Sequence, residues 1–235
     1  MAELVDALVS NTNDSNVVPV RSRLRVPVKS LNLLIMASTE WNKKYNANEY
    51  VYGIEPIPYF IEVLERYRPD NLLLPGEGEG RNAVYAAKKG VKVFAFDQSR
   101  TAYQKAQKLA KEHGVQIDYK VCDILESNYP RQYFQMIGIF YLHLPVEVRQ
   151  KAHQHLLNFL APGGVLVLEA FHKRNIGNDF GPKTVEMLYD EITLRADFQS
   201  LVIEEYFENH YVFSHGCDDH RGQAELIRFC AIKPH

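Results

Sequence analysis

The run "LLLPGEGEGRNAVYAAKKGVKVFAFDQS", residues 72–99, sets Gly76, Gly78 and Gly80 at alternate positions and Asp97 17 positions after the last of them. Glycines so spaced after an apolar stretch let the backbone turn sharply, approach a ligand and pack a following helix against its strand. A carboxylate ending the next apolar stretch can accept two hydrogen bonds from ribose hydroxyls. These are the parts of a nucleotide site. Alone the pattern is unspecific, because "GEGRNA" also satisfies the dinucleotide form G-x-G-x-x-A.

Glu77 and Glu79, which sit between the glycines, discriminate. A carboxylate about 5 Å from a phosphate charge costs about 3 kcal/mol at an effective dielectric near 20. Two of them tax a pyrophosphate site unless both side chains turn away. S-adenosylmethionine (SAM) has no phosphate. It carries a sulfonium and an ammonium group, which nearby acids favour. Asp123, in "VCDI", is placed to accept from an adenine amino group, with a turn or cap role as its alternative. For Asp97 the competing role is a helix N-cap, which Ser99 already fills. Gln98 and Ile124, the next residues along, are placed at the cofactor with them.

The elements that must position these residues emerge from periodicity. Leu72–Leu74, Val91–Phe96, Gln116–Val121, Tyr133–Tyr141 and Val165–Phe171 read as strands. Between them, Asn82–Lys89 reads as a helix ended by Gly90, Ser99–His113 as a helix capped by Ser99 and stopped at Gly114, and Pro145–Leu160 as a third. The turn "APGG" precedes the fifth strand. Alternation of this kind predicts an α/β fold, a mostly parallel sheet with helices on both faces. Leu201–Val212 and Glu225–Lys233 are two strands joined only by a loop, most simply antiparallel. Residues 37–60 are rich in aromatics, with Trp41, Tyr45, Tyr50, Tyr52, Tyr59 and Phe60, and are expected to cap the ligand edge of the sheet.

The bulk numbers bound the rest. With 235 residues, 46% of them hydrophobic, the chain can form one domain with a real core. A net charge of −2 argues against a broad nucleic-acid surface. Cys122, Cys217 and Cys230 form no CxxC pair and read as reduced thiols of a cytoplasmic protein. No apolar run approaches the roughly 20 residues of a membrane helix.

Residues 1–35 look foreign to the rest of the chain. "MAELVDALVS" with "PVRSRLR" resembles the translation of a bacterial leucine tRNA gene, which implies an early start and a native beginning at Met36. An ordinary disordered extension and a targeting peptide are the alternatives. Residues 36–235 are then the functional domain.

The strand, GxGxG loop, strand ending in Asp, third strand ending in "CD" and "LAPGGVLVLEAF" resemble the class I SAM-dependent methyltransferases. Within them, "WNKKY…YVYGIEP", "GEGEGRNAVYAA", "FYLHLPVEVR" and "GPKTVEMLY" are most similar to small-molecule enzymes of the tellurite-resistance and thiopurine-methyltransferase-like type. The resemblance covers about residues 40–233. It implies a Rossmann-like seven-stranded sheet with an antiparallel last strand. It also implies Tyr45 and Gly53 lining the cofactor, and a hairpin loop bearing His220 folded over the substrate entrance. Two positions depart from the pattern. Leu74 stands where an acid is common, which makes Glu77 the candidate for the ammonium contact, solvent exposure being its alternative. Gln135 stands where Asp is common. Arg81 is a candidate for backbone or for the methionine carboxylate.

If the fold is right, the C-terminal end of the fourth strand faces the methyl group, and "FYLHLP" lies there. His143 is the candidate base or substrate ligand, with Tyr141 beside it. A base is needed only if the acceptor arrives protonated. Arg149 is a candidate for an anionic substrate or for solvent, and His172 a further candidate at the substrate. "HGCDDHRG", residues 215–222, can be read as a metal cluster or as solvated loop acids, and no metal is expected. The expected activity is methyl transfer from SAM to a small-molecule thiol, oxyanion or amine, by a monomer or homodimer that binds neither nucleic acid nor membrane. A non-catalytic SAM-binding protein and an NAD-dependent oxidoreductase are the alternatives.

Overall fold

The structure is a computed structural model and describes residues 38–179, 181–213 and 222–235. The extension 1–35, the Met36 start and the "HGCDDHRG" segment with His220, except for its last residue, Gly222, lie outside the described residues.

Seven strands form one sheet in the order β3-β2-β1-β4-β5-β7-β6. They are β1 (Asn71–Pro75), β2 (Lys92–Asp97), β3 (Asp118–Val121), β4 (Phe134–Phe140), β5 (Leu160–Phe171), β6 (Val202–Phe213) and β7 (Gly222–Ile232). The first five are parallel, and β7 runs antiparallel to both β5 and β6. The expected Rossmann-like sheet and its antiparallel end are therefore present. The turn "APGG" sits inside β5 as a bulge: Phe134 pairs with Leu160 but Met136 already pairs with Val165.

Alternate residues of each strand feed two cores. Leu72 and Leu74 pack on one face with α2 (Pro58–Tyr67), α3 (Arg81–Lys88) and α4 (Arg100–Glu112). Leu73 packs on the other with α5 (Val146–Leu157) and α6 (Glu191–Asp197). Burial on both faces explains why the central strands β1, β4 and β5 read as largely apolar runs. A further helix, α1 (residues 38–45), precedes α2. The short α6 has too few turns for periodicity to predict it.

The strand order reverses between β1 and β4, so a crevice opens at their C-terminal ends, where open α/β sheets bind ligands. Into it run the 76–80 loop after β1, Asp97 ending β2, Asp123 after β3 and Tyr141 after β4. Gln135 sits at the opposite end of β4. There its side chain clasps Asp70 through a 2.7 Å bond to Oε1 and a 3.0 Å bond from Nε2. This departure from the family pattern is remote from the crevice. Leu74 is core, 1% exposed.

Candidate cofactor and acceptor site

The glycine loop is closed upon itself. The N–H groups of Gly76 and Glu77 both donate to Phe96 O, at 2.8 and 3.2 Å. The N–H of Gly78 donates to Asp97 Oδ2 at 3.1 Å, and Asp97 Oδ1 accepts from Ser99 N at 2.8 Å. At the start of α3, where a dinucleotide places its pyrophosphate, the Ala83 N–H donates to Glu77 Oε1 at 2.8 Å. Glu77 Oε2 faces Asn82 Nδ2 at 3.5 Å. The chain's own carboxylate thus takes the anion seat. Glu77 is half-buried and caps the helix. Burial raises its pKa to about 7, against the pull of Ala83, Arg81 and Asn82. Burial likewise raises Asp97 to about 6, against backbone donors from Ser99, Gly78 and Gln98.

Glu79 is 5% exposed and pairs with Lys105 Nζ at 2.7 Å. Its Oε2 also accepts from Tyr52 N at 3.4 Å. Its charge is therefore matched inside the protein, and of the two loop acids only Glu77 is left to oppose a phosphate. Gly80 has φ +91, and a Cβ there would lie 2.7 Å from Ala106 Cβ and 2.9 Å from its Cα. Replacing Gly80 by alanine is expected to cost about 2–4 kcal/mol from positive φ and overpacking together. A fall in the urea midpoint at unchanged slope checks this.

The aromatic segment docks at the ligand edge, as its composition predicts. Asn42 Oδ1 accepts from Ser99 Oγ at 2.9 Å and Thr101 N at 3.2 Å, doubling the Ser99 cap of α4, whose own oxygen accepts from Ala102 N. Ser38 Oγ donates to Gln98 O. Arg81 Nη1 donates to Tyr52 O at 2.9 Å, tying this segment to α3. Tyr45 is 5% exposed, stacks on Trp41 and meets Tyr52 edge-on. A Cβ on Gly78 would lie 2.8 Å from its hydroxyl, so Tyr45 packs directly against the glycine loop at Gly78. A Cβ on Gly53, at φ +72, would meet no atom within 4 Å, so this glycine borders open space. Asp123 does act as a cap, Oδ1 accepting from Leu125 N at 2.8 Å, and Ile124 is buried in the core beside it.

After β4 the picture changes more. Leu142 packs on the loop: its Cδ1 is 2.8 Å from where a Cβ of Gly76 would be. His143 bridges two backbones, Nδ1 to Met187 O at 2.8 Å and Nε2 accepting from Phe171 N at 3.3 Å. Burial lowers its pKa to about 4. Both ring nitrogens of His143, the candidate base or substrate ligand, are thus engaged with backbone groups. Arg149 does not face solvent: it is buried and pairs with Asp197 at 2.8 Å. His172 caps a short 3-10 turn through Arg174 N at 3.0 Å.

Two residues that the sequence reading passes over stand beside Tyr141. Its hydroxyl donates to Glu169 Oε1 at 2.7 Å, and Arg228 Nε donates to Glu169 Oε2 at 2.6 Å. A lone acid within the apolar run "VLVLEAF" is the available signal. Among the described residues no three His, Cys, Asp or Glu side chains gather to hold a metal. No described helix is long and apolar enough to cross a membrane.

Residues 73–164 match the model of a methyltransferase domain. No curated protein matches the chain. Three similar solved structures share the fold. One, described as "Conversion of a Disulfide Bond into a Thioacetal Group during Echinomycin Biosynthesis", is 17% identical, with TM-score 0.69 over 85% of this chain and 91% of that one. TehB from Haemophilus influenzae is 18% identical, with TM-score 0.63 over 83% and 66%. The N-methyltransferase NodS from Bradyrhizobium japonicum WM9, in complex with S-adenosyl-L-homocysteine, is 16% identical, with TM-score 0.61 over 84% and 98%.

Proposed function

We propose that this chain, whose residues 73–164 match a methyltransferase domain, moves the methyl group of SAM to a small-molecule acceptor bound at the C-terminal ends of β4 and β5. One observation carries the reading. The loop's N–H groups at 76, 77 and 78 are consumed by β2, and Glu77 fills the anion seat of α3. The Glu77 and Asp97 carboxylates and the Tyr45 ring at this loop suit a cation better than a pyrophosphate. Asp97 with Gln98 would hold the ribose, and Asp123 with Ile124 the adenine. Gly76, Glu77, Gly78, Gly80 and Arg81 would face the methionine part, under Tyr45 and Gly53. A ring against the sulfonium adds about 0.5–2 kcal/mol. SAM supplies an electrophilic carbon, and these residues orient it and exclude water.

The acceptor is a thiol, oxyanion or amine, reached past Tyr141, with His143 holding the wall. The protein acts in the cytoplasm as a monomer or homodimer, without nucleic acid or membrane. Calorimetry with SAM and with NADH tests the cofactor, SAM alone being expected to bind. Turnover of labelled SAM against a panel of thiols, oxyanions and amines tests catalysis. Binding without turnover of any acceptor would leave a SAM-binding protein and defeat the enzymatic reading.

Glu77 and Asp97 impose a pH dependence. Both have native values raised above ordinary carboxylates, so the ligand-free native state holds more protons than the unfolded chain between about pH 4 and 7. Its stability from these groups falls as pH rises through that window. A cationic ligand prefers both ionised. SAM affinity is therefore expected to rise from pH 5 to about 7 and then level, with protons released on binding at the acid end. Calorimetry in two buffers of different ionisation enthalpy reads both quantities. A flat profile would remove these acids from the cofactor's surroundings.

A further inference from the structure

Glu169 lies where three strands meet. It pairs with Phe140 of β4 and with Arg228 of β7, and is 2% exposed. It holds Tyr141 twice: its backbone O accepts from Tyr141 N at 2.8 Å, and its Oε1 accepts from the Tyr141 hydroxyl at 2.7 Å. Tyr141 has φ +52, a left-handed conformation that is strained for an aromatic residue. A buried ion pair such as Glu169–Arg228 is often no more stabilising than an apolar pair of the same size. A strained tyrosine and a desolvated carboxylate, beside the loop on which Leu142 packs, make a costly arrangement for mere support.

We infer that Glu169, through the Tyr141 hydroxyl, takes the proton of an acceptor that arrives protonated, a neutral thiol or hydroxyl. The inference rests on the methyltransferase reading above. In the step, a lone pair of the acceptor atom bonds to the methyl carbon, and the carbon–sulfur pair stays on sulfur. The acceptor's proton passes to the Tyr141 oxygen as Tyr141's own proton passes to Glu169 Oε1. No phenolate forms, which suits a phenol that burial and Glu169 disfavour ionising. Charge is conserved locally: the sulfonium becomes a neutral thioether as the carboxylate becomes a neutral acid. Charged and titratable groups face the pair from several elements. Arg228 bears on Glu169 and lies 4.8 Å over the Tyr59 ring, whose hydroxyl faces Glu205. Arg81 and Tyr211 bear on Tyr141.

The test is the pH profile of kcat/KM for whichever acceptor of a thiol, phenol, oxyanion and amine panel is turned over, on the wild type, Glu169→Gln and Tyr141→Phe. A thiol or phenol should be accepted with a profile that is flat near neutrality. Each variant should lose about 100-fold or more at pH 7. Its rate should then climb about tenfold per pH unit, tracking acceptor ionisation. SAM affinity by calorimetry should stay within a few-fold. Should Glu169→Gln fail to fold with Arg228 unpaired, the double variant Glu169→Gln/Arg228→Gln replaces it. Turnover of pre-ionised oxyanions or of amines only, a flat profile in the variants, or a loss without the new slope overturns the relay. Wild-type protein that does not bind SAM, or turns over nothing, defeats the underlying reading instead.

Discussion

Asp97→Ala is expected to weaken SAM binding by about 100-fold or more. The carboxylate is 8% exposed and joins the glycine loop to the start of α4, with Oδ2 on Gly78 N and Oδ1 on Ser99 N. Hydrogen bonds to a charged group contribute about 1.5–3 kcal/mol each. Alanine removes both and leaves the two N–H donors without their acceptor. Both of those bonds are made without ligand and so bear on stability. The affinity loss comes from the ribose hydroxyls, two bonds to a charged acceptor at about 1.5 kcal/mol or more each. At about 1.4 kcal/mol per tenfold, that is about 100-fold or more. Asp97→Asn keeps the shape but can accept through one oxygen only, and should fall between. The Asn variant should also lose the pH dependence that Asp97 contributes. Calorimetry well below the melting temperature separates binding from unfolding, and an affinity within twofold of wild type would take Asp97 out of the site.

How far the sequence leads is clearest at this loop. The glycines, the strand before them and the cap at Ser99 depend on neighbours within a few residues, and local spacing reveals such things. The purpose of Glu77 and Glu79 is not legible, although their oddity is. Glu77 turns back on Ala83, six residues on, and that is readable only once α3 is known to begin at Arg81. Glu79 meets Lys105, 26 residues away on α4. The terminal antiparallel pair is legible because two strands with no helix between them have few alternatives. The partners of Glu169 are not, since they depend on the register of β5 with β7, which brings Arg228 opposite from 59 residues away. His143 shows the same limit. Its type and place suggest a base, but Met187 O and Phe171 N, 44 and 28 residues on, fix what its nitrogens do.

The second large effect lies behind that wall. Asp197 Oδ2 accepts from Arg149 Nε at 2.8 Å and from His153 Nδ1 at 2.9 Å, while the buried Oδ1 has no hydrogen-bond partner among the described residues. Burial alone would raise the Asp197 pKa, but His153 and Arg149 outweigh it and hold the carboxyl below its usual value. The chain of contacts continues outward. His153 Nε2 and Leu142 O both lie 3.2 Å from the Tyr189 hydroxyl, and Arg149 Nη1 donates to Glu186 O. Asp197→Ala strands a buried guanidinium, and breaking such a pair costs about 3–5 kcal/mol. That is a large part of the roughly 5–15 kcal/mol of an ordinary domain. Because the native carboxyl is depressed, its contribution is fully present above the unfolded value near pH 4 and fades as pH falls through the native one. Wild type and variant should therefore differ by a constant amount above about pH 5 and converge on acidification, as urea melts at several pH values will show. A difference below about 1 kcal/mol at neutral pH would mean that solvent or a neighbour replaces the carboxylate. If it does not, the segment 186–189 loses its anchor on α5 with the pair. Leu142 and His143 then lose the partners that hold the far side of the crevice in place.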